Sequence, residues 1–164
     1  MKNKLLIVLV IFLNILFQAT VFSRISVFGV YSNLSLAVVV ALSIGFGSYT
    51  GGYSGLIIGL VEDILFSPVI GVRALIYFIL GFLIGSTEAG INKEDPRSGI
   101  IFTIGGTLFY YLIYTIVFNL IGEGFDILAY LMGPIFLEIL LNLILYLICF
   151  TLFKKIFKYP RFRL

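Results

Sequence analysis

Histidine is absent from this chain of 164 residues, and cysteine occurs once, at Cys149. Without histidine there is no Ser-His-Asp or Cys-His catalysis. A single cysteine gives no internal disulfide, no haem attachment motif and no Cys/His zinc site. Cys149 sits in an apolar run and reads as a small packing residue. Charge is scarce as well. Asp, Glu, Lys and Arg make up 12% of the chain, about half of what a soluble domain carries. That is too little to clothe a water-facing surface. Hydrophobic residues make up 61%, and the mean hydropathy is +1.17. The chain is therefore expected to be solvated by lipid. No long stretch lacks apolar runs, so no large soluble part is expected.

About 20 apolar residues span the hydrocarbon as a helix. On that measure six spans are expected, over residues 5–22, 30–47, 50–66, 72–89, 100–121 and 131–153. The run at 5–22 reads as a span and not a cleaved leader, because further spans follow it. Of the 11 Lys and Arg, all but Arg24 and Arg73 fall on one side of a six-span topology. They lie in the N-terminus (Lys2, Lys4), the loop after span four (Lys93, Arg97) and the tail (Lys154, Lys155, Lys158, Arg161, Arg163). The other side holds an acidic loop with Glu123 and Asp126. The positive-inside rule then places both termini in the cytoplasm. Five spans would separate the basic ends. The expected class is an all-α polytopic membrane protein forming a single integral membrane domain, 1–164.

Within the spans, glycine recurs at four-residue spacing: Gly51, Gly55 and Gly59, then Gly81 and Gly85. Such glycines share a helix face and admit a second helix closely. Tight internal packing is the first reading, an interface with another protein the second. The stretch GFGSYTGG, 45–52, lacks the Lys-Ser/Thr ending of a phosphate loop. It reads as a tight hairpin between short helices. Asn14 and Gln18 lie four apart on one helix face, as do Glu138 and Asn142 on another. A charge at the bilayer centre costs about 2.5–3.5 kcal/mol, so Glu138 is expected to face the bundle or a cavity from the outer half of the last span.

The segment GLVEDILFSPVIGVRAL, 59–75, places Glu62 and Asp63 side by side near the outer end of span three. Adjacent helical residues point about 100° apart, so the two acids do not form one acid/base site. One is expected to face the bundle and the other the headgroups. Ser67-Pro68 ends the helix, Gly71 permits the turn, and Arg73 then comes within reach of either acid. No catalytic, metal or cofactor residues emerge from this reading.

The pattern Gly59-Leu60-x-x-Asp63, followed by Ser67-Pro68, Gly71 and an apolar span, resembles the signature of the rod shape-determining MreD family. The basic N-terminus, Asn33-Leu34 before the second span, the glycine-rich hairpin, the charged loop after span four and the basic tail agree in layout. The departures are Glu62, where an aliphatic residue is more usual, and Arg73, where the family varies. The resemblance implies a non-enzymatic scaffold in the bacterial plasma membrane, serving the cell-wall elongation complex. Its implied partners are an MreC-like bitopic protein, a RodA-type glycosyltransferase, a class B penicillin-binding protein and, indirectly, an MreB-type cytoskeleton. The implied fold is similar to the substrate-binding S-components of energy-coupling-factor vitamin transporters. On the residues alone, candidate contact or structural positions are Gly51, Gly55, Gly59, Asp63, Gly71, Gly81, Gly85 and Glu138. The basic tail suits anionic lipids or a protein partner. No nucleic-acid partner is expected. The alternative is a vitamin-binding transporter subunit, with Arg73 and the loop Glu123–Asp126 as ligand candidates.

Overall fold

A computed structural model describes residues 2–122 and 134–157 of the chain. The acidic loop Glu123–Asp126 and the tail residues Lys158, Arg161 and Arg163 lie outside the described residues. Helix α1 covers Lys2–Phe17 and runs on as a π-turn, Gln18–Phe22. A two-stranded antiparallel ribbon follows, β1 (Ser26–Val27) and β2 (Val30–Tyr31). Then come α2 (Leu34–Phe66), α3 (Val72–Ser86), a 3-10 turn at Glu88–Gly90, α4 (Arg97–Ile121) and α5 (Pro134–Ile156). Four stretches are long and apolar enough to cross a membrane: Asn3–Phe22, Leu34–Phe66, Arg97–Ile121 and Pro134–Ile156. Val72–Ser86 is apolar but only 15 residues long.

Helix α2 is two arms, not one rod. Gly47 has φ 86° and ψ −178°, a backbone region open essentially to glycine alone. The chain reverses there. Ser35 on the first arm donates a hydrogen bond to Glu62 on the second. In a straight helix these two residues would stand about 40 Å apart. The break is narrower than GFGSYTGG suggests, since residues on both sides of Gly47 are helical. The break leaves the Gly45 carbonyl to be satisfied from outside the helix, and Lys93 does so with Nζ at 3.0 Å. Lys93 also pairs with Glu88 at 3.1 Å. Hydrogen bonding from a neighbouring segment is how irregular backbone survives inside a membrane protein.

The second arm of α2 lies antiparallel against α3 on the glycine face. A methyl group at Gly51 would strike Gly81 and Ser43, and one at Gly55 the backbone of Tyr77. At Gly59 it would strike Ala74, and at Gly85 the backbone of Gly47 and Ser48. All five glycines are buried. Their face therefore packs inside this chain. The first arm of α2 is the centre of the bundle, with Leu36 through Leu42 all buried. Helix α1 lies at the periphery, only 6% of its apolar window buried, so its outer face meets lipid or another protein.

Several boundaries differ from the hydropathy reading, three of them for a local reason. The second run starts at Leu34, not near Val30, because residues 26–31 form the ribbon and Asn33 caps the helix. The Asn33 side chain accepts the Leu36 N–H at 2.8 Å, the usual role of Asn at an N-cap. Helix α4 begins at Arg97, just after Pro96, and α3 stops at Ser86 before the 3-10 turn. Hydropathy marks where a helix is greasy, not where its hydrogen bonding begins.

Candidate functional site

The π-turn of α1, the ribbon, the α2–α3 turn, the end of α4 and the start of α5 all gather at one end of the bundle. The Gly47 turn, the Glu88–Lys93 segment and Lys154 gather at the other, where Lys154 reaches the Glu94 carbonyl at 3.3 Å. At the first end, a chain of buried polar side chains ties all five helices together.

Asn33 is its hub. Its backbone N–H donates to Asn142 Oδ1 on α5 at 2.7 Å, and its Nδ2 donates to Tyr77 Oη on α3 at 2.8 Å. Tyr77 donates in turn to Glu62 Oε2 at 3.2 Å. The other oxygen of Glu62 accepts from Ser35, which itself accepts from Asn14 of α1 at 2.8 Å. Gln18, one turn along α1, accepts the Leu34 N–H at 3.0 Å. Asn142 reaches α4 by donating to Thr107 at 3.1 Å. Along this chain donors meet acceptors in a compatible sense, as a dry interior requires; Asn14 Oδ1 alone of its members is buried with no partner among the described residues.

Asp63 plays a separate part. Its carboxylate accepts the backbone N–H groups of Gly71 at 2.9 Å, Arg73 at 3.2 Å and Ala74 at 3.2 Å. These are the orphan donors of the first turn of α3, which has no side-chain cap of its own. A carboxylate there also meets the positive end of the helix dipole. Gly71, with φ 106°, makes the turn that aims those amides back at Asp63. Ser67 closes the preceding helix end, its hydroxyl donating to the Val69 carbonyl at 2.8 Å.

The expectation that one of the two acids would reach the headgroups is corrected. Glu62 and Asp63 are 3% and 0% exposed. They do diverge, Glu62 toward the bundle centre and Asp63 toward α3. Both are drawn inside because each finds donors there, Glu62 from Ser35, Tyr77 and Arg73, and Asp63 from amides. Arg73 pairs with Glu62 at a loose 4.0 Å. Its guanidinium lies 5.9 Å from the Phe66 ring centre.

Beside this network opens a cleft of about 310 Å³, lined by Arg73, Tyr110, Tyr111, Tyr114, Glu138 and the β2 strand, among others. Tyr77, Tyr110, Tyr114 and Phe118 stack in series, with centroids 4.3–5.7 Å apart. Glu138 is buried and accepts a hydrogen bond from Tyr111. The structure thus brings Glu138 and Arg73 to one cleft, and places Asp63 behind it. Gly51, Gly81 and Gly85 lie away from it. Sequence reasoning passed over Asn33 as a hub and the tyrosines as a group. The signal for the tyrosines was there, since Tyr110, Tyr111 and Tyr114 share one side of α4 at helical spacing. Among the described residues, no three His, Cys, Asp or Glu side chains stand close enough to hold a metal ion.

Compared with known proteins, residues 1–156 match the family model described as rod shape-determining protein MreD. No curated protein and no solved structure matches the chain.

Proposed function

The chain belongs to the MreD family of rod shape-determining proteins, and on that premise we propose that it is a non-enzymatic scaffold of the bacterial cell-wall elongation complex. It works in the plasma membrane and holds an MreC-like bitopic protein together with a RodA-type glycosyltransferase and a class B penicillin-binding protein. An MreB-type cytoskeleton is linked indirectly. Six passes with both termini cytoplasmic fit this role: α1, the two arms of α2, α3, α4 and α5, in an arrangement like that of transporter S-components. The first arm of α2 and α3 are each about 20 Å long, short of the roughly 30 Å hydrocarbon core. The first arm of α2 is shielded by its neighbours, with Leu36 through Leu42 buried, whereas α3 leaves Leu75, Phe82 and Leu83 exposed.

The observation that supports a scaffold most directly is where the polar chemistry goes. Asn14, Asn33, Glu62, Asp63, Tyr77 and Asn142 engage one another or the backbone, across every helix. They fix a shape. The outer faces of α1, α4 and α5 are left apolar, with Phe12, Ile116, Leu120 and Phe136 exposed. Binding would then use helix faces within the bilayer.

Expression in rod-shaped cells depleted of their own protein of this family tests the proposal. Rod shape should return, and an MreC-like protein should copurify in mild detergent. Asp63→Ala should lose both together with stability, because its carboxylate holds the α2–α3 turn. A well-expressed chain that neither restores shape nor retains the partner would overturn the scaffold. So would a submicromolar affinity for a vitamin, which would favour the transporter subunit instead.

A further inference from the structure

The cleft is not accounted for by a scaffold role. Its floor carries a cation with unmet capacity. Arg73 Nε is buried and has no hydrogen-bond partner among the described residues, and Nη1 meets Glu62 only at 4.0 Å. A guanidinium offers five N–H donors in a fixed fork suited to phosphate or carboxylate. A donor held dry without an acceptor is unfavourable, so the site favours an incoming oxyanion. The wall opposite is of another kind. Glu138 supplies an acceptor, oriented by the Tyr111 hydroxyl, and Tyr110 and Tyr114 give flat amphipathic surface. The ligand is therefore an oxyanion followed, a few ångströms on, by a hydroxyl or ammonium that donates to Glu138.

The surroundings give the source. Leu112 and Ile116 on α4, and Phe136 and Leu140 on α5, are exposed and apolar beside the lining residues. A molecule entering here leaves its remainder against greasy helix faces at the end of the bundle, where headgroups lie. We propose that the cleft binds one phospholipid, its phosphate on Arg73 and its polar head on Glu138, with its acyl chains along α4 and α5. The volume of about 310 Å³ is enough for a phosphoglycerol headgroup and falls at the small end of ligand sites.

Native mass spectrometry of the detergent-purified full chain, titrated with phosphatidylglycerol, tests this. One adduct should survive collisional activation that strips the others. Diacylglycerol with the same chains should be retained about tenfold less. Arg73→Gln should weaken that single adduct about tenfold, the scale for one charge-assisted hydrogen bond, and Arg73→Lys should keep most of it. Lys154→Gln, at the other end, should leave it unchanged. Equal retention of diacylglycerol, or an adduct indifferent to Arg73→Gln, would overturn the proposal. If Arg73→Gln fails to purify, the wild-type comparison of the two lipids decides alone. Soluble glycerophosphoglycerol separates the sources. If it binds as tightly as the lipid, the site takes a solute and the phospholipid assignment is refuted.

Discussion

Removing the Asp63 carboxylate tests the account of the α2–α3 turn most sharply. Asp63→Ala deletes the acceptor for three backbone amides, those of Gly71, Arg73 and Ala74. None of them has a substitute, since Asp63 is fully buried and α3 has no cap of its own. Hydrogen bonds inside membrane proteins average about 0.6 kcal/mol and reach about 1.7. The charge and the helix dipole place these at the upper end. The loss should be about 2–5 kcal/mol. Asp63→Asn keeps one carbonyl oxygen but turns an NH₂ toward donors, so it should fall nearer the alanine variant than wild type. Ile64→Ala is the control. It removes a neighbouring side chain that is 63% exposed and should change stability by less than about 0.5 kcal/mol. Steric trapping with biotin tags on α1 and α4, in bicelles, reads the unfolding free energy directly. A loss below about 1 kcal/mol for Asp63→Ala would refute the reasoning, because the three amides would then have found other partners.

Other outcomes follow from the same structure. Gly59→Ala should cost about 1–3 kcal/mol by forcing α2 off Ala74. Gly105→Ala, which meets open space, should be neutral or stabilising by up to about 1 kcal/mol; the same unfolding assay compares them. Gly47→Ala should cost about 1–3 kcal/mol from backbone strain and add a clash with Glu88, read as a lowered midpoint in thermal unfolding followed by circular dichroism. Asn142→Leu should cost about 1–3 kcal/mol by stranding the Asn33 N–H. Orientation is read by impermeant thiol labelling in a Cys149→Ala background. Glu94→Cys should react only from the cytoplasm and Phe28→Cys only from outside; the reverse pattern would break the topology.

The glycine positions and the turn at Ser67–Gly71 were legible in the sequence because each is a local rule. A four-residue repeat of small side chains states a face, and a Pro and Gly close together state a turn. Membrane character was legible from composition alone. The network was legible only in halves. Asn14 with Gln18, and Glu138 with Asn142, stand out at helical spacing, but nothing local says that Asn142 reaches Asn33 across 109 residues. Glu62 shows the limit best. Hydropathy placed it beside Asp63 near the outer end of a helix, with one of the two acids expected at the headgroups and nothing to say which. Its burial depends on Ser35 from the first arm of α2 and on Tyr77 and Arg73 from α3, two separate stretches of chain.

That difference bears on how polar residues in such a chain should be read. In a bundle, a polar side chain can be internal fastening or part of a site, and spacing alone does not separate the two. Satisfaction does. Asp63 has an amide for each accepting direction it uses, and Asn33 is engaged through its backbone and both side-chain heavy atoms. These are fasteners. Arg73 is engaged on one side only, with a buried nitrogen left over and a cleft in front of it. Both kinds lie within ten residues of one another on a single hairpin. A change at Asp63 should therefore lower stability and every function together, whereas Arg73→Lys should leave the fold intact and alter only what the cleft holds. A stability loss at Arg73→Lys as large as at Asp63→Ala would make Arg73 a fastener too, and would leave the cleft without its cation.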